Sequence, residues 1–255
     1  MAAASSGATV PEHEEGPASP RRADRRRPAQ ERTALSRQVV LSAALDLVDA
    51  EGLDALTMRR LGQRLHRDPM ALYRYAANRD ALLDGVVELV LAQLEVPAAG
   101  AGGHDGPEDW RDQLRATAHA FRRLALRHPH VVPLLVTRPL STPLGLRPLG
   151  TLRPLEQLLE LLVGAGFDPV DALHVYRIFF GFLHGHVLNE LQELVADPEE
   201  SDDLLRLGLH RLPLKEFPRL RSLASALADF DGARELDKGL DVLLDGLDEH
   251  LHPRA

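Results

Sequence analysis

Twelve histidines and no cysteine bound the chemistry that this chain can carry. Without a thiol there is no disulfide scaffold, no Cys-ligated zinc and no thiol nucleophile. The histidines include two close pairs, His128 with His130 and His184 with His186. On a helix an i, i+2 spacing points side chains to nearly opposite sides, so neither pair chelates a metal by itself. His119, His174, Tyr176, His184, His186 and Asn189 are polar groups inside otherwise apolar segments. That is the pattern of a small-molecule pocket between helices. A catalytic base needs a partner that holds it within hydrogen-bond reach. The sequence offers no Ser-His-Asp spacing, phosphate loop or metal motif, so the expectation is no enzyme, no metal and no cofactor. The alternative reading is a helical small-molecule-binding protein or enzyme that uses the His-lined pocket.

Arginine supplies a second kind of chemistry, the recognition of a polyanion. The formal net charge is −8 over 255 residues, which by itself argues against nucleic acid. The mean hides an asymmetry. Residues 21–79 carry 13 Arg against 7 acids, whereas residues 80–255 carry 17 basic against 28 acidic side chains. Such a split suggests that one part of the chain meets a polyanion. All but Lys215 and Lys238 of the basic residues are arginine, which a composition-biased genome explains equally well.

The elements that must position these groups are helices. Apolar residues make up 44% and aromatics only 4%, so the core is Leu, Val and Ala. Residues 1–32 lack hydrophobic periodicity and read as a disordered basic arm. Arg21, Arg22, Arg25, Arg26 and Arg27 make it either a solvated tail or an arm that follows DNA. A first helix starts at Ser36 with Val39, Val40, Ala43, Ala44, Leu47 and Val48 on one face. Gly52 fits the left-handed residue that ends it. Thr57 caps a second helix. Asp68 caps a third, from Pro69 to about Tyr75, with the proline at its first position. Asn78 starts a fourth. After a Gly-rich connector at 98–107, helices are expected at about 108–127, 129–136, 147–165, 169–196, 203–209 and 233–251. Three prolines make 137–148 a loop. No segment resembles a signal peptide or reaches the ~18 apolar residues of a membrane span, so the chain is expected to be cytoplasmic.

Two short helices joined by a tight turn, with a helix on either side, form a helix-turn-helix. The stretch LSRQVVLSAALDLVDAEGLDALTMRRLGQRLHRDPMALYRYAANRDALLDGVVELVL resembles the DNA-binding domain of TetR-family regulators over residues 36–92. WRDQLRATAHAFRRLALRHPHVVPLL, LVGAGFDPVDALHVYRIFFGFLHG and KGLDVLLDGLDEHL resemble the C-terminal domain of the tetracycline-repressor subgroup. The resemblance implies a homodimer on a palindromic double-stranded DNA operator, released by a small organic effector. Two recognition helices would then lie about one DNA turn, ~34 Å, apart. Thr57, Arg59, Asp68, Met70, Ala71, Tyr73, Arg74 and Arg79 form the implied DNA-binding set. Arg59 matches a position that reads a guanine edge, for which its planar fork suits. Met70 and Ala71 match base-facing positions, and Arg79 matches a cation that holds phosphate. Two residues depart from the pattern. His66 stands where the family has Gly, and Arg67 where it has a buried aliphatic.

Thr117, Phe121, Leu134, Tyr176, Phe180, His184 and Asn189 form the implied ligand-binding set. In the subgroup's prototype a His and a Glu hold a magnesium–tetracycline chelate. The matching positions are Leu134 and Asn189, neither of which replaces that charge, so an apolar or aromatic effector is expected instead. Long apolar stripes (Leu173, Phe180, Val187, Leu188, Leu191, Leu194; Leu236, Leu240, Leu243, Leu244, Leu247, Leu251) pair across a two-fold axis in the family, or else fill the chain's own core. A protein effector is the third reading. The fold expected is all-α, with a head at 33–80 and a ligand-binding and dimerisation domain at 81–255.

Overall fold

The computed structural model describes residues 35–97, 109–141, 143–195 and 211–251. The arm at 1–32, the Gly-rich connector and the helix expected at 203–209 lie outside the described residues. Among the described residues the regular structure is helical, as the all-α expectation requires.

The head begins with α1 (Arg37–Glu51), α2 (Met58–Leu65), α3 (Pro69–Leu72) and α4 (Arg79–Leu91). Each start is fixed by a side chain that satisfies a backbone N–H left free by the helix. Ser36 Oγ accepts from Val39 N, Thr57 Oγ1 from Arg60 N, Asp68 Oδ1 from Met70 N, and Asn78 Oδ1 from Ala81 N. Gly52 ends α1 with φ 81° and ψ 173°. That is not the helical left-handed well expected from sequence, but an extended positive-φ conformation essentially confined to glycine. It turns the chain into a short 3-10 turn, Leu53–Ala55. Val40, Ala44, Val48, Leu56, Leu61, Leu72, Leu82 and Val86 close the core. Each large apolar side chain removed from water there contributes about 1.5–3 kcal/mol.

Helix α3 is shorter than the sequence suggested, because the chain tightens after Leu72. Tyr75 N donates to Leu72 O at 2.8 Å, a three-residue step, while the Tyr75 hydroxyl donates to Leu35 O at 2.7 Å. The turn between α2 and α3 keeps its unusual residue: His66 has φ 52° and ψ 45°. Arg67 stays half-exposed rather than buried. Gly62 makes the turn possible, since a Cβ there would lie 2.8 Å from Arg67 O and 3.2 Å from Pro69 Cγ.

Then follow α5 (Trp110–Arg127), a 3-10 turn (Pro129–Val131), α6 (Val132–Ser141) and α7 (Leu149–Gly164). The chain ends in α8 (Pro169–Val195), α9 (Pro218–Ser222), α10 (Ala224–Ala228) and α11 (Gly232–Leu251). The loop expected from 137 starts only after Ser141. Pro139 lies near the end of α6, where its missing N–H removes one helical bond and leaves the helix otherwise intact. The two short helices α9 and α10 were not foreseen. Their leucines remain largely exposed, so the periodicity that marks a packed helix is weak there.

Helix α11 is placed by two matching ladders. Arg111, Arg115 and His119 repeat every four residues along α5. Arg111 meets Asp245 at 3.1 Å and Asp248 at 2.6 Å, Arg115 meets Asp241 at 2.6 Å, and His119 Nε2 meets Asp237 at 2.7 Å. Beneath this ladder Leu236, Leu240, Leu244 and Leu247 are buried within the chain. The α11 stripe therefore fills the chain's own core, as do Phe180 and Val187 of α8.

Replacing Gly62 by alanine should destabilise the head by about 1–3 kcal/mol despite alanine's higher helix propensity, because the added methyl meets backbone. Urea denaturation of the two proteins measures it.

Candidate functional site

The head presents one exposed face built from the ends of α2 and α3. Helix α2 carries three arginines, and two are spent on α1. Arg60 pairs with Glu51, and Arg64 lies 3.9 Å from Asp46. Arg59 points outward and makes no ion pair among the described residues. Met70 is 72% exposed at the start of α3, a position that core packing cannot explain. Tyr73 and Arg74 are exposed beside it, and Ala71 is half-exposed. A guanidinium, a thioether and a phenol on one convex surface suit guanine edges, thymine methyls and phosphate.

Three members of the expected set have structural work as well. Thr57 and Asp68 are helix caps. The threonine hydroxyl accepts from the backbone and keeps its proton to donate, whereas the Asp68 carboxylate can only accept and repels phosphate. Its part is to hold α3. Arg74 turns back towards the domain, its guanidinium carbon 5.6 Å from the Tyr75 ring and its Nη2 3.3 Å from the Tyr75 hydroxyl. Arg79 departs furthest from the phosphate-holding expectation. Its Nε donates to Leu56 O at 3.0 Å and its Nη2 to Leu53 O at 2.8 Å. These carbonyls belong to the turn that precedes α2, so Arg79 fastens α4 to the start of the helix-turn-helix.

Behind the head lies a cavity of about 230 Å³ enclosed by α4 to α8. Phe121, Tyr176, Phe180 and His184 form an aromatic wall. The rings of Phe121 and Phe180 stand edge to face at 5.8 Å and 89°, and Tyr176 lies 5.0 Å from Phe180. Burial pushes the His184 imidazole below its ordinary range, which keeps it neutral near pH 7 as a single donor and acceptor. Burial also raises the Tyr176 phenol, against the opposing field of Arg147, so it remains a hydroxyl.

The expected ligand set is only partly gathered here. Phe121, Tyr176, Phe180 and His184 line the cavity. Thr117, Leu134 and Asn189 do not. Thr117 is fully buried and gives its hydroxyl to Gln113 O at 2.8 Å. Leu134 faces the core edge one residue from Leu135, which does reach the cavity, and Asn189 is exposed on α8. Sequence reasoning missed Asp84, Val87 and Leu91 of α4, and Arg138, Arg147, Thr151 and Leu155 of the far wall. A usable signal was present. Arg138 and Arg147 are isolated cations in the apolar, proline-rich run from 131 to 152.

Histidine–carboxylate pairs exist, but away from the cavity. His128 Nδ1 lies 2.8 Å from Asp49 Oδ2, and His119 pairs with Asp237 on the surface. Among the described residues no group of His, Asp or Glu is arranged to hold a metal ion.

Comparison with known proteins agrees with this geometry. Residues 40–86 match the bacterial regulatory proteins of the tetR family, and residues 103–251 match the tetracyclin repressor-like C-terminal domain. The chain belongs to the TetR family. It is a transcriptional regulator of the helix-turn-helix class. The family's members are regulators rather than enzymes. The class A tetracycline repressor of transposon 1721 from Escherichia coli is 32% identical over 84% of this chain and 91% of its own. An HTH-type transcriptional regulator of Saccharopolyspora erythraea is 30% identical over 84% of both chains. Among solved structures, Streptomyces coelicolor ActR in complex with actinorhodin covers 88% of this chain and 100% of its own, with 28% identity and a TM-score of 0.70.

The Arg79→Ala variant should lose about 1–2 kcal/mol of stability without any DNA present, since it leaves two backbone carbonyls without their donor. A residue that only touched phosphate would leave thermal denaturation of the free protein unchanged.

Proposed function

We propose that this chain is a homodimeric, ligand-responsive repressor. It holds a palindromic operator through the head and lets go when a small organic molecule fills the cavity. The observation that carries this reading is the position of α4. Its Leu82 and Val86 are core residues of the head, while Asp84, Val87 and Leu91 line the cavity. A ligand that wedges the cavity must press on the helix that supports the DNA-reading face. A preference for one α4 position of ~1–3 kcal/mol changes operator affinity about 5–150-fold.

In this reading the head spans 33–80, and the ligand-binding and dimerisation domain spans 81–255. Arg59, Met70, Ala71 and Tyr73 contact DNA, while Thr57, Asp68 and Arg79 hold the reading helices in place. The dimer would form on the outer faces of α8 and α11. Val170, Ile178 and Val242 are exposed there, and Gly181 and Gly185 leave open space for a close helix. No described helix is long and apolar enough to cross a membrane, and we place the protein in the cytoplasm with its operator.

DNase footprinting upstream of the chain's own gene tests the proposal. The expected result is a palindromic protected site whose occupancy falls steeply with salt. Protein that protects no site at low salt would refute it. The Arg59→Ala variant should lose about 1–3 kcal/mol of operator affinity and relax specificity at one base pair. Titration calorimetry with tetracycline should show no tight, magnesium-dependent binding, because neither Leu134 nor Asn189 supplies a metal ligand to the cavity.

A further inference from the structure

One end of the cavity is charged, and the charges are unequal. Arg138 near the end of α6 and Arg147 just before α7 face it, against the single carboxylate of Asp84. That carboxylate is already engaged, since Arg138 Nε lies 3.4 Å from Asp84 Oδ1. Arg138 Nη2 also donates to Asp80 O at 2.9 Å and to Asp80 Oδ1 at 3.1 Å. Both acids belong to the first two turns of α4. The residue before Asp80 is Arg79, which grips Leu53 O and Leu56 O ahead of the α2 cap. A continuous series of polar contacts therefore runs from the cavity wall to the helix-turn-helix.

The charge of a ligand decides how it meets this end. A cationic group would face two guanidiniums. A neutral ligand would bind among the aromatic rings and leave Arg138 on α4. An acidic group meets planar donor forks that match carboxylate or sulfonate oxygens in pairs, in surroundings where burial strengthens the attraction. It also contends with Asp80 and Asp84 for the same guanidinium.

We propose that the effector is an aromatic organic acid. Its ring lies among Phe121, Tyr176 and Phe180. Its anionic group sits at Arg138 and Arg147, and draws Arg138 from Asp80 and Asp84. The inference rests on the cavity being the effector site. It adds a requirement that shape alone does not impose: a neutral molecule of the same outline occupies the cavity without releasing DNA.

Two fluorophores with the same rings make the test. 8-Anilinonaphthalene-1-sulfonate carries an acid group, and N-phenyl-1-naphthylamine lacks it. Each is titrated by fluorescence into the full chain and into the Arg147→Gln, Arg138→Gln and Leu155→Trp variants. Anisotropy of the footprinted operator fragment reports DNA release. The sulfonate should bind at least tenfold tighter than the amine, and it alone should dissociate the operator. Arg147→Gln and Arg138→Gln should bring the ratio of the two affinities towards one. Leu155→Trp, which fills the cavity, should weaken both dyes. Equal or inverted affinities, both lowered by Leu155→Trp, overturn the acid requirement and leave the cavity as the effector site. A tenfold preference that persists in Arg147→Gln overturns it equally, even if Arg138→Gln folds poorly. Binding indifferent to Leu155→Trp removes the cavity reading, and the acid requirement falls with it.

Discussion

Helix α4 is buried on two sides at once, and the rest of the molecule is arranged around that constraint. Leu82, Leu83, Gly85, Val86, Val87 and Val90 are all buried within its few turns. One face closes the core under α1, and another closes the cavity. A densely packed interior does not deform by degrees, because even a methylene displaced is felt by its neighbours. A helix packed on both faces therefore transmits displacement rather than absorbing it. This makes one chain of 255 residues a single device instead of a reader and a receptor joined by a tether.

The acidic balance of the chain takes on a local meaning in the structure. A net charge of −8, concentrated beyond residue 80, suggests a domain that repels DNA and leaves the head as the preferred contact. Much of that acidity is paired. Asp237, Asp241, Asp245 and Asp248 of α11 meet Arg111, Arg115 and His119 of α5. These pairs are largely exposed, so each is worth about 0–1 kcal/mol. Their regular spacing nevertheless fixes the register in which Leu236, Leu240, Leu244 and Leu247 enter the core. Burial supplies the stability, and the ladder selects the alignment.

The parts legible in the sequence were those decided by a few neighbouring residues. Ser36, Thr57, Asp68 and Asn78 announce helix starts because a cap acts within three residues of itself. The exposure of Arg59 and Met70 follows from the short helices those caps define. Other features needed the tertiary structure. Nothing local says that Arg138 reaches back to Asp80, 58 residues earlier, or that Arg79 turns inward to two carbonyls. On the cavity wall, spacing located the right helices but missed the phase. A single step along α6 separates Leu134, which stays outside, from Leu135, which lines the cavity. Asn189 lies on α8 beyond His184 but on its exposed side. The fate of the apolar stripe on α11 was equally undecidable from periodicity, since a partner helix and a core helix ask for the same leucines.

The head is fastened to the remainder of the chain at two separated places, and this determines how it can move. At the far end of α1, His128 lies against Asp49, and His130 Nδ1 lies 3.0 Å from Val48 O. The second contact requires the proton on Nδ1. Both histidines flank the turn between α5 and α6, away from the cavity lining. At the start of α4 the tie is Arg138 on Asp80 and Asp84. A ligand at the cavity touches the second tie and not the first. With one tie held and the other displaced, the response of a compact head is a rotation about the α1 end rather than a translation. In a dimer two such rotations change the separation of the reading helices. Operator spacing is fixed by the DNA turn, so a small angle is enough to put one of the two heads out of register.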